Sequence, residues 1–399
     1  MVDRAAIVAR FVEVRARTER LAAPLSPEDQ QLQAMPSTSP TKWHRGHTTW
    51  FFETFLLTPH GVPPEHPSWR ILFNSYYETL GPRHIRAERG LLSRPSAADI
   101  GSWRRLVDEQ VVALLERLDD QAWSAVVPVV ELGIAHEEQH QELILTDILA
   151  AFSRHPARTI YDASFPAPDR HGGPVAWIEH EGGRGTIGAV EGGSLFAFDN
   201  ESPRHDAWLE PFAIADRLAT VGEWAAFAAD GGYDTPSLWL SDGLDFVRTQ
   251  RLRAPEYTER DGDAVNVFGL SGERMAHPDE PVLHLSLYEA DALATWLGGR
   301  LPTEAEWEVA SDRLGQRDAV AWQWTRSSYA PYPGYRPSAG AIGEYNGKFM
   351  MNQLVLRGGS DCTPPGHTRP TYRNFWYPDT RFQRTGLRLA RDSSKGRSS

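Results

Sequence analysis

The sequence holds a single cysteine, Cys362, in 399 residues. It therefore cannot close an internal disulfide or build a cysteine-based zinc site, and it suits a reducing compartment. No run of 18 uninterrupted apolar residues occurs, so no membrane-spanning helix is expected. The opening stretch, MVDRAAIVARFVEVRARTER, mixes charge with apolar side chains and lacks the apolar block of a secretory signal, which points to the cytoplasm. Positive charge is in deficit: 41 Lys and Arg against 53 Asp and Glu give a net charge of −12. Such a surface repels phosphate backbones and anionic headgroups, so neither nucleic acid nor a membrane is an expected partner. Apolar residues at 41% and charged residues at 24% exclude a wholly disordered, fibrous or coiled-coil chain. The length allows two or three domains.

What is present divides the chain in two. Residues 1–155 read as helical. Ile7, Phe11 and Val14 recur at helical spacing, as do Trp43, His47, Trp50, Thr54 and Leu57. A third segment carries Ile100, Trp103, Val107, Val111 and Leu114 behind a capping box of Ser96 and Asp99, and a fourth runs from about Val126 to Phe152. Four such segments predict an antiparallel four-helix bundle. The link from Pro59 to Pro95, rich in Pro, Gly and Arg, is long enough to suggest a functional loop. Beyond Pro156, Gly, Pro and Trp become dense and apolar runs become short. Capping boxes at Thr220/Glu223, Ser286/Glu289 and Thr303/Glu306 announce short helices, and Gly231-Gly232 and Gly298-Gly299 stop the first two. The second half, residues 170–391, is read as an irregular α+β domain, with a boundary inside 153–175.

The sharpest motif is His136-Glu137-Glu138-Gln139-His140. Residues four apart share a helix face, so His136 and His140 point the same way, together with Leu143 and Asp147, into the predicted bundle. Two buried imidazoles side by side suggest a divalent metal. The same pattern matches a zinc-peptidase helix with Glu137 as general base, and a pair of core histidines satisfied by hydrogen bonds would also fit. His47, on the apolar stripe of the second helix, can complete a three-histidine face. His44 falls off that stripe and is not expected to be a ligand. Three imidazoles leave an octahedral ion three open positions, as iron(II) uses for substrate and dioxygen, whereas zinc favours a tetrahedral site with one water. The spacing does not separate the two metals.

Several long segments carry a resemblance. SPTKWHRGHTTWFFETF (39–55), FNSYYETLGPRHIRAERG (73–90), IAHEEQHQE (134–142), FDNESPRH (198–205), GRLPTEAEWEVA (299–310), EYNGKFM (344–350), VLRGGS (355–360) and TYRNFW with TGLRLAR (371–391) resemble the sulfoxide synthases of ergothioneine biosynthesis (EgtB-type). The match extends over nearly the whole chain. It implies a DinB-like four-helix bundle followed by an irregular C-type-lectin-like, formylglycine-generating-enzyme-like domain. It implies a mononuclear non-haem Fe(II) held by His47, His136 and His140. It also implies hercynine (Nα-trimethylhistidine) as acceptor, a thiol or selenosugar as donor, and O2 as oxidant for a new bond at the imidazole carbon between the two nitrogens. Position by position, Gln139 resembles the contact to the substrate imidazole and Asn374 a contact to the amino-acid end of hercynine. Tyr76 and Tyr77 resemble proton donors in the oxygen chemistry; aromatic packing is the competing role. Arg83 and Arg86 resemble the arginines that hold a donor carboxylate, against a merely solvated loop. Phe375, Trp376 and Trp50 are candidate aromatic walls for a trimethylammonium group. A site drawing on both halves is expected at the domain interface. With Cys362 alone, the copper chemistry of formylglycine-generating enzymes is not available.

The chain departs from typical members around the donor pocket rather than the metal. RGGSDCTPPGH (357–367) and YRNFWYPDTRFQRTG (372–386) replace patterns like RGGSCATPRGH and YRNFFPPDARWQF, and the stretch between 311–318 and 321–325 is short. Changes at Asp361, Trp376 and Tyr377 would suit the selenoneine synthase branch, which joins hercynine to a selenosugar; retention of Arg83 and Arg86 favours a carboxylate-bearing thiol.

Overall fold

A computed structural model describes residues 3–193, 195–337, 343 and 346–393. The chain forms two compact units. One comprises the chain up to Ala163 together with Cys362–His367; the other begins at Ser164 and includes Asn346–Asp361 and the chain from Thr368.

The first unit is helical. Its long helices are α1 (Arg4–Ala22), α2 (Thr41–Phe52), α4 (Ala97–Arg117) and α5 (Asp120–Arg154), with a four-residue α3 (Arg70–Phe73) in the link. Local chemistry sets their starts. Asp3 caps α1 by accepting from Ala5 N–H, the Ser96/Asp99 box caps α4, and Asp119 caps α5 by accepting from Ala122 N–H. Helix α5 begins six residues before the expected Val126 and passes through Pro128, whose missing N–H and ring clash do not end it. The second predicted segment also differs. Helix α2 stops at Phe52 and continues as a π-helical turn over Glu53–Leu57. The four long helices bury Phe11, Trp50, Trp103, Val107, Val111, Val130, Ile134 and Ile144 at 2% exposure or less. The Pro59–Pro95 link has no long element, only α3 and short 3-10 turns.

The second unit is sheet-rich. Strand β4 (Phe212–Leu218) pairs antiparallel with β1 (Trp177–His180) and β12 (Arg388–Asp392). A second sheet runs β10 (Asn374–Trp376), β9 (Leu354–Gly359), β8 (Ala321–Ser328) and β11 (Thr385–Gly386), antiparallel except for β8 with β11. Strands β2 (Gly183–Ile187) and β3 (His205–Leu209) form a two-stranded ribbon, and β5 (Thr258–Asp261), β6 (Ala264–Gly269) and β7 (Gly272–Met275) a meander. The three expected capping boxes form at α6 (Val221–Ala229), α8 (Leu287–Trp296) and α9 (Glu304–Ala310). Helix α7 (Ser241–Gln250) lies between α6 and β5 in the chain. Trp307 of α9 is fully buried among Leu209, Phe212, Ile214 and Leu314, so GRLPTEAEWE here builds core. Among the described residues no helix is long and apolar enough to cross a membrane.

Candidate metal centre

Helix α2 carries His47 and helix α5 carries His136 and His140 one turn apart. One nitrogen from each ring lies within 4.8 Å of the other two. His47 Nε2 is 3.1 Å from His136 Nε2. Metal–imidazole bonds of about 2.1 Å at right angles set ligand nitrogens about 3.0 Å apart, so this spacing suits a shared ion. His47 and His136 are buried, while His140 and its neighbour Gln139 keep partial exposure.

Tautomers follow from the outer partners. His47 Nδ1 meets the carbonyl oxygen of Phe73 at 2.6 Å. A carbonyl only accepts, so Nδ1 carries the proton and Nε2 keeps a lone pair directed at the cluster. The His47 ring is sandwiched between Trp43 (centroids 4.6 Å apart, 13° between planes) and Trp50 (5.6 Å, 16°). Trp43 is itself anchored by its indole N–H to Leu72 O at 2.9 Å and covered by the Arg89 guanidinium 3.3 Å from its ring centroid. Phe51 packs against His136 at 4.9 Å. Burial pushes His136 down to about 3, and it lowers His47 and His140 well below the ordinary imidazole range, helped by the neighbouring imidazoles. All three rings are therefore neutral near pH 7, the form that binds a metal.

Glu137 does not turn toward this cluster as a peptidase-type base would. Its carboxylate accepts from Arg15 Nη1 at 2.8 Å, from Thr18 Oγ at 2.6 Å and from Arg104 Nη2. Burial works to raise its pKa, yet Arg104, Arg15 and the Thr18 hydrogen bond hold it below the usual carboxylate value. It is a fully buried carboxylate held ionised by two buried guanidinium groups and a hydroxyl.

The other candidates fall in different surroundings. Tyr77 is buried, its ring 5.6 Å from Trp50 and 5.0 Å from Phe55, and Tyr76 stacks on it at 4.6 Å. Asn74 fixes this turn by accepting from Tyr77 N–H and donating to Tyr77 O, each at 3.0 Å. Arg83 is exposed, donating to Glu78 at 2.8 Å and to Ser75 O at 3.2 Å; Arg86, also exposed, donates to Ser37 O. Asn374, Phe375 and Trp376 belong to the second unit, on β10. There Asn374 Oδ1 accepts from Phe375 N–H at 2.8 Å, Phe375 stacks on Tyr329 at 4.0 Å, and Trp376 meets Phe382 edge-on at 5.5 Å. Asp361 pairs with Arg384.

Two residues outside the expected set matter at the centre. His44, judged off the stripe, lies within hydrogen-bond distance of His140, and Asp147 lies within hydrogen-bond distance of His44. The signal was present: His44 is three residues from His47, and Asp147 seven from His140, both helical neighbours. Arg89 is the third omission. It is buried beside Trp43, donating to Ser39 Oγ at 2.9 Å and Ser75 Oγ at 3.0 Å.

Residues 10–144 match the DinB superfamily, and residues 175–320 the sulfatase-modifying factor enzyme 1-like domain. Over 98% of this chain and all of its counterpart, the sequence is 29% identical to a hercynine oxygenase of Mycolicibacterium smegmatis. A hercynine oxygenase of Mycobacterium tuberculosis is 29% identical over 97% of this chain and 98% of its own length. A formylglycine-generating enzyme of Streptomyces coelicolor is 33% identical over 30% of this chain and 41% of its own length.

Proposed function

Starting from a chain that is a nearly full-length relative of the hercynine oxygenases, with a DinB-type helical domain before a sulfatase-modifying-factor-like one, we propose an iron(II)- and dioxygen-dependent synthase that joins a thiol sulfur to the imidazole of hercynine. The observation that carries this reading is the convergence of three neutral imidazole nitrogens from two helices within 4.8 Å. Iron(II) suits it because three protein nitrogens leave room for both substrate and dioxygen at an octahedral ion. Bound there, iron(II) would supply the redox chemistry that an unactivated ring carbon requires. The overall change balances as thiol plus hercynine plus O2 giving the sulfoxide-linked product and one water. The carbon loses its hydrogen, the sulfur gains one oxygen, and the second oxygen leaves with both protons.

The chain's own residues bind, orient and protonate. Gln139, partly accessible between the two helix ligands, is assigned to the substrate imidazole. Tyr77, held by Asn74, is assigned as proton donor through its phenol O–H, with Tyr76 stacked on it. Arg83 and Arg86, both exposed, are assigned to the donor carboxylate, whose charge would displace Glu78 from Arg83. Trp50, expected as an aromatic wall for the trimethylammonium group, is 1% exposed with its ring against His47, Phe55 and Tyr77, so it is assigned to packing of the centre instead. The roles of Asn374, Phe375 and Trp376 toward hercynine rest on the resemblance of the YRNFW segment and are tested by substitution.

The test is a donor panel. Iron-loaded protein is mixed anaerobically with hercynine and, separately, with cysteine, γ-glutamylcysteine, glutathione, a thiosugar or a selenosugar, then exposed to oxygen, and hercynine is followed by mass spectrometry. Consumption with one of the thiols is expected. Consumption with the selenosugar alone would move the chain to selenoneine synthesis, and no consumption with any donor would overturn the assignment.

A further inference from the structure

Around the candidate metal centre, hydrogen bonds continue outward from His140 in a single line. His140 Nδ1 lies 2.7 Å from His44 Nδ1. His44 Nε2 lies 3.0 Å from Asp147 Oδ2, and the same oxygen accepts the Ser39 backbone N–H at 2.7 Å. His44 and Asp147 are buried at 2% and 6% exposure, so bulk water does not compete for these bonds. The proton positions follow from one end. A carboxylate oxygen accepts, so His44 Nε2 carries a hydrogen. A neutral His44 then has a bare Nδ1, which can only accept, and the hydrogen between the two Nδ1 atoms belongs to His140. His140 is thereby the Nδ1–H tautomer, with its lone pair on Nε2.

We propose that Asp147 and His44 are positioning residues that fix the tautomer and ring orientation of His140 and so present its Nε2 as a ligand. The proposal rests on the metal reading above. Its physical basis is that a ligand imidazole with an acceptor on its far nitrogen is both oriented and made more basic, and that outer partners of this kind are worth about 10–100-fold in metal affinity. The two helices that carry the ligands also carry the line: α2 supplies His44 one turn before His47, and α5 supplies Asp147 two turns after His140. His47 is treated equivalently by the Phe73 carbonyl, which stands behind its Nδ1. The His140 line differs in ending on a charge.

Two measurements test it on the full-length protein. In metal-free protein with 15N-labelled histidine, the His140 ring, assigned by its loss in His140→Gln, should show a protonated Nδ1 and an unprotonated Nε2. In Asp147→Ala and His44→Phe it should become a tautomer mixture. Titration with cobalt(II), read by its visible absorption, should give an affinity lower by about 10–100-fold in His44→Phe and Asp147→Ala. Asp147→Asn should lose less, because an amide oxygen in the place of Oδ2 still accepts from His44 and Ser39 and only the charge is gone. An Nε2–H His140 in the wild type would overturn the proposal, as would variants that bind cobalt(II) with unchanged affinity and spectrum. A wild type with the expected tautomer that binds no cobalt(II) would overturn the metal reading itself, and the positioning role with it.

Discussion

His136 has its Nε2 3.1 Å from that of His47 and stands as one of only three protein ligands in the proposed centre. His136→Ala should therefore drop bound iron to background in elemental analysis of the purified protein, because removal of a third of the protein ligands costs most of the affinity. Tyr77 poses a different question, since it is buried and could serve as packing alone. Tyr77→Phe should leave hercynine binding intact but change the ratio of oxidised products, read by mass spectrometry; an unchanged ratio would return Tyr77 to a packing role. Glu137 separates the oxygenase from the hydrolase reading. Glu137→Gln leaves Arg15 and Arg104 buried against a neutral group, and should lower stability by about 3 kcal/mol in urea unfolding while retaining metal. At this scale, spacing in the sequence singled out His136 and His140, and helical periodicity added His47. It passed over His44 because a stripe drawn through the apolar residues excludes a polar neighbour one turn away, although such a neighbour is where a ligand finds its hydrogen-bond partner.

The ligand-bearing helices come close through small residues. A side-chain carbon at Gly133 of α5 would sit 2.6 Å from the Phe52 ring of α2, and one at Gly46 of α2 would sit 2.3 Å from the Phe73 ring. Neither ring is a flexible surface end; both are 2% exposed or less. Gly133→Ala should cost about 1–3 kcal/mol, read as a thermal midpoint lower by several degrees, since overpacking forces ring and backbone to move. Gly46→Ala should in addition loosen metal binding, because it pushes on the residue whose carbonyl holds His47 Nδ1. Capping boxes made the short helices of the second unit readable, with Thr220, Ser286 and Thr303 each three residues before a Glu. The start of α5 was less readable. Its cap is Asp119, but Pro128 nearby reads as a boundary, and only tertiary packing of the long helix overrides that local preference. The π-helical turn at Glu53–Leu57 has no sequence signature, since it satisfies the same apolar pattern as an α-helix.

Across the whole molecule the clearest handle is pH. Burial holds His136 near 3, while an imidazole in the unfolded chain titrates near 6.5. As pH falls through that window, the unfolded state takes up protons that the folded state refuses, so stability is fully present above about 6.5 and declines toward 3. His47 and His140 shift in the same direction. The metal-free protein should show a falling thermal midpoint from pH 7 to pH 5, whereas the metal-loaded protein, whose folded ligands stay neutral over that range, should hold its ion to pH 5 and release it only as pH nears 3 or the fold is lost. A second whole-chain property was not legible in the sequence at all. His367, far from the bundle in the chain, belongs to the helical unit: its Nδ1 lies 2.8 Å from Glu138, which Arg10 also reaches, and Thr363 donates to Glu142 at 2.7 Å. RGGSDCTPPGH looked like part of the second half because contiguity in sequence is the natural guide to a domain, and nothing in periodicity reports a chain that returns. His367→Ala should lower stability by about 1–3 kcal/mol in urea unfolding, because a buried carboxylate loses a hydrogen bond.

That return has a temporal side. Glu138 and Glu142 sit on either side of the His140 position, and their partners are translated more than two hundred residues later. A ribosome adding roughly 5–20 residues per second needs on the order of ten to forty seconds to cover that distance. The nascent helical module must wait through it without the His367 and Thr363 contacts, so a module made before most of the second unit is finished only after it.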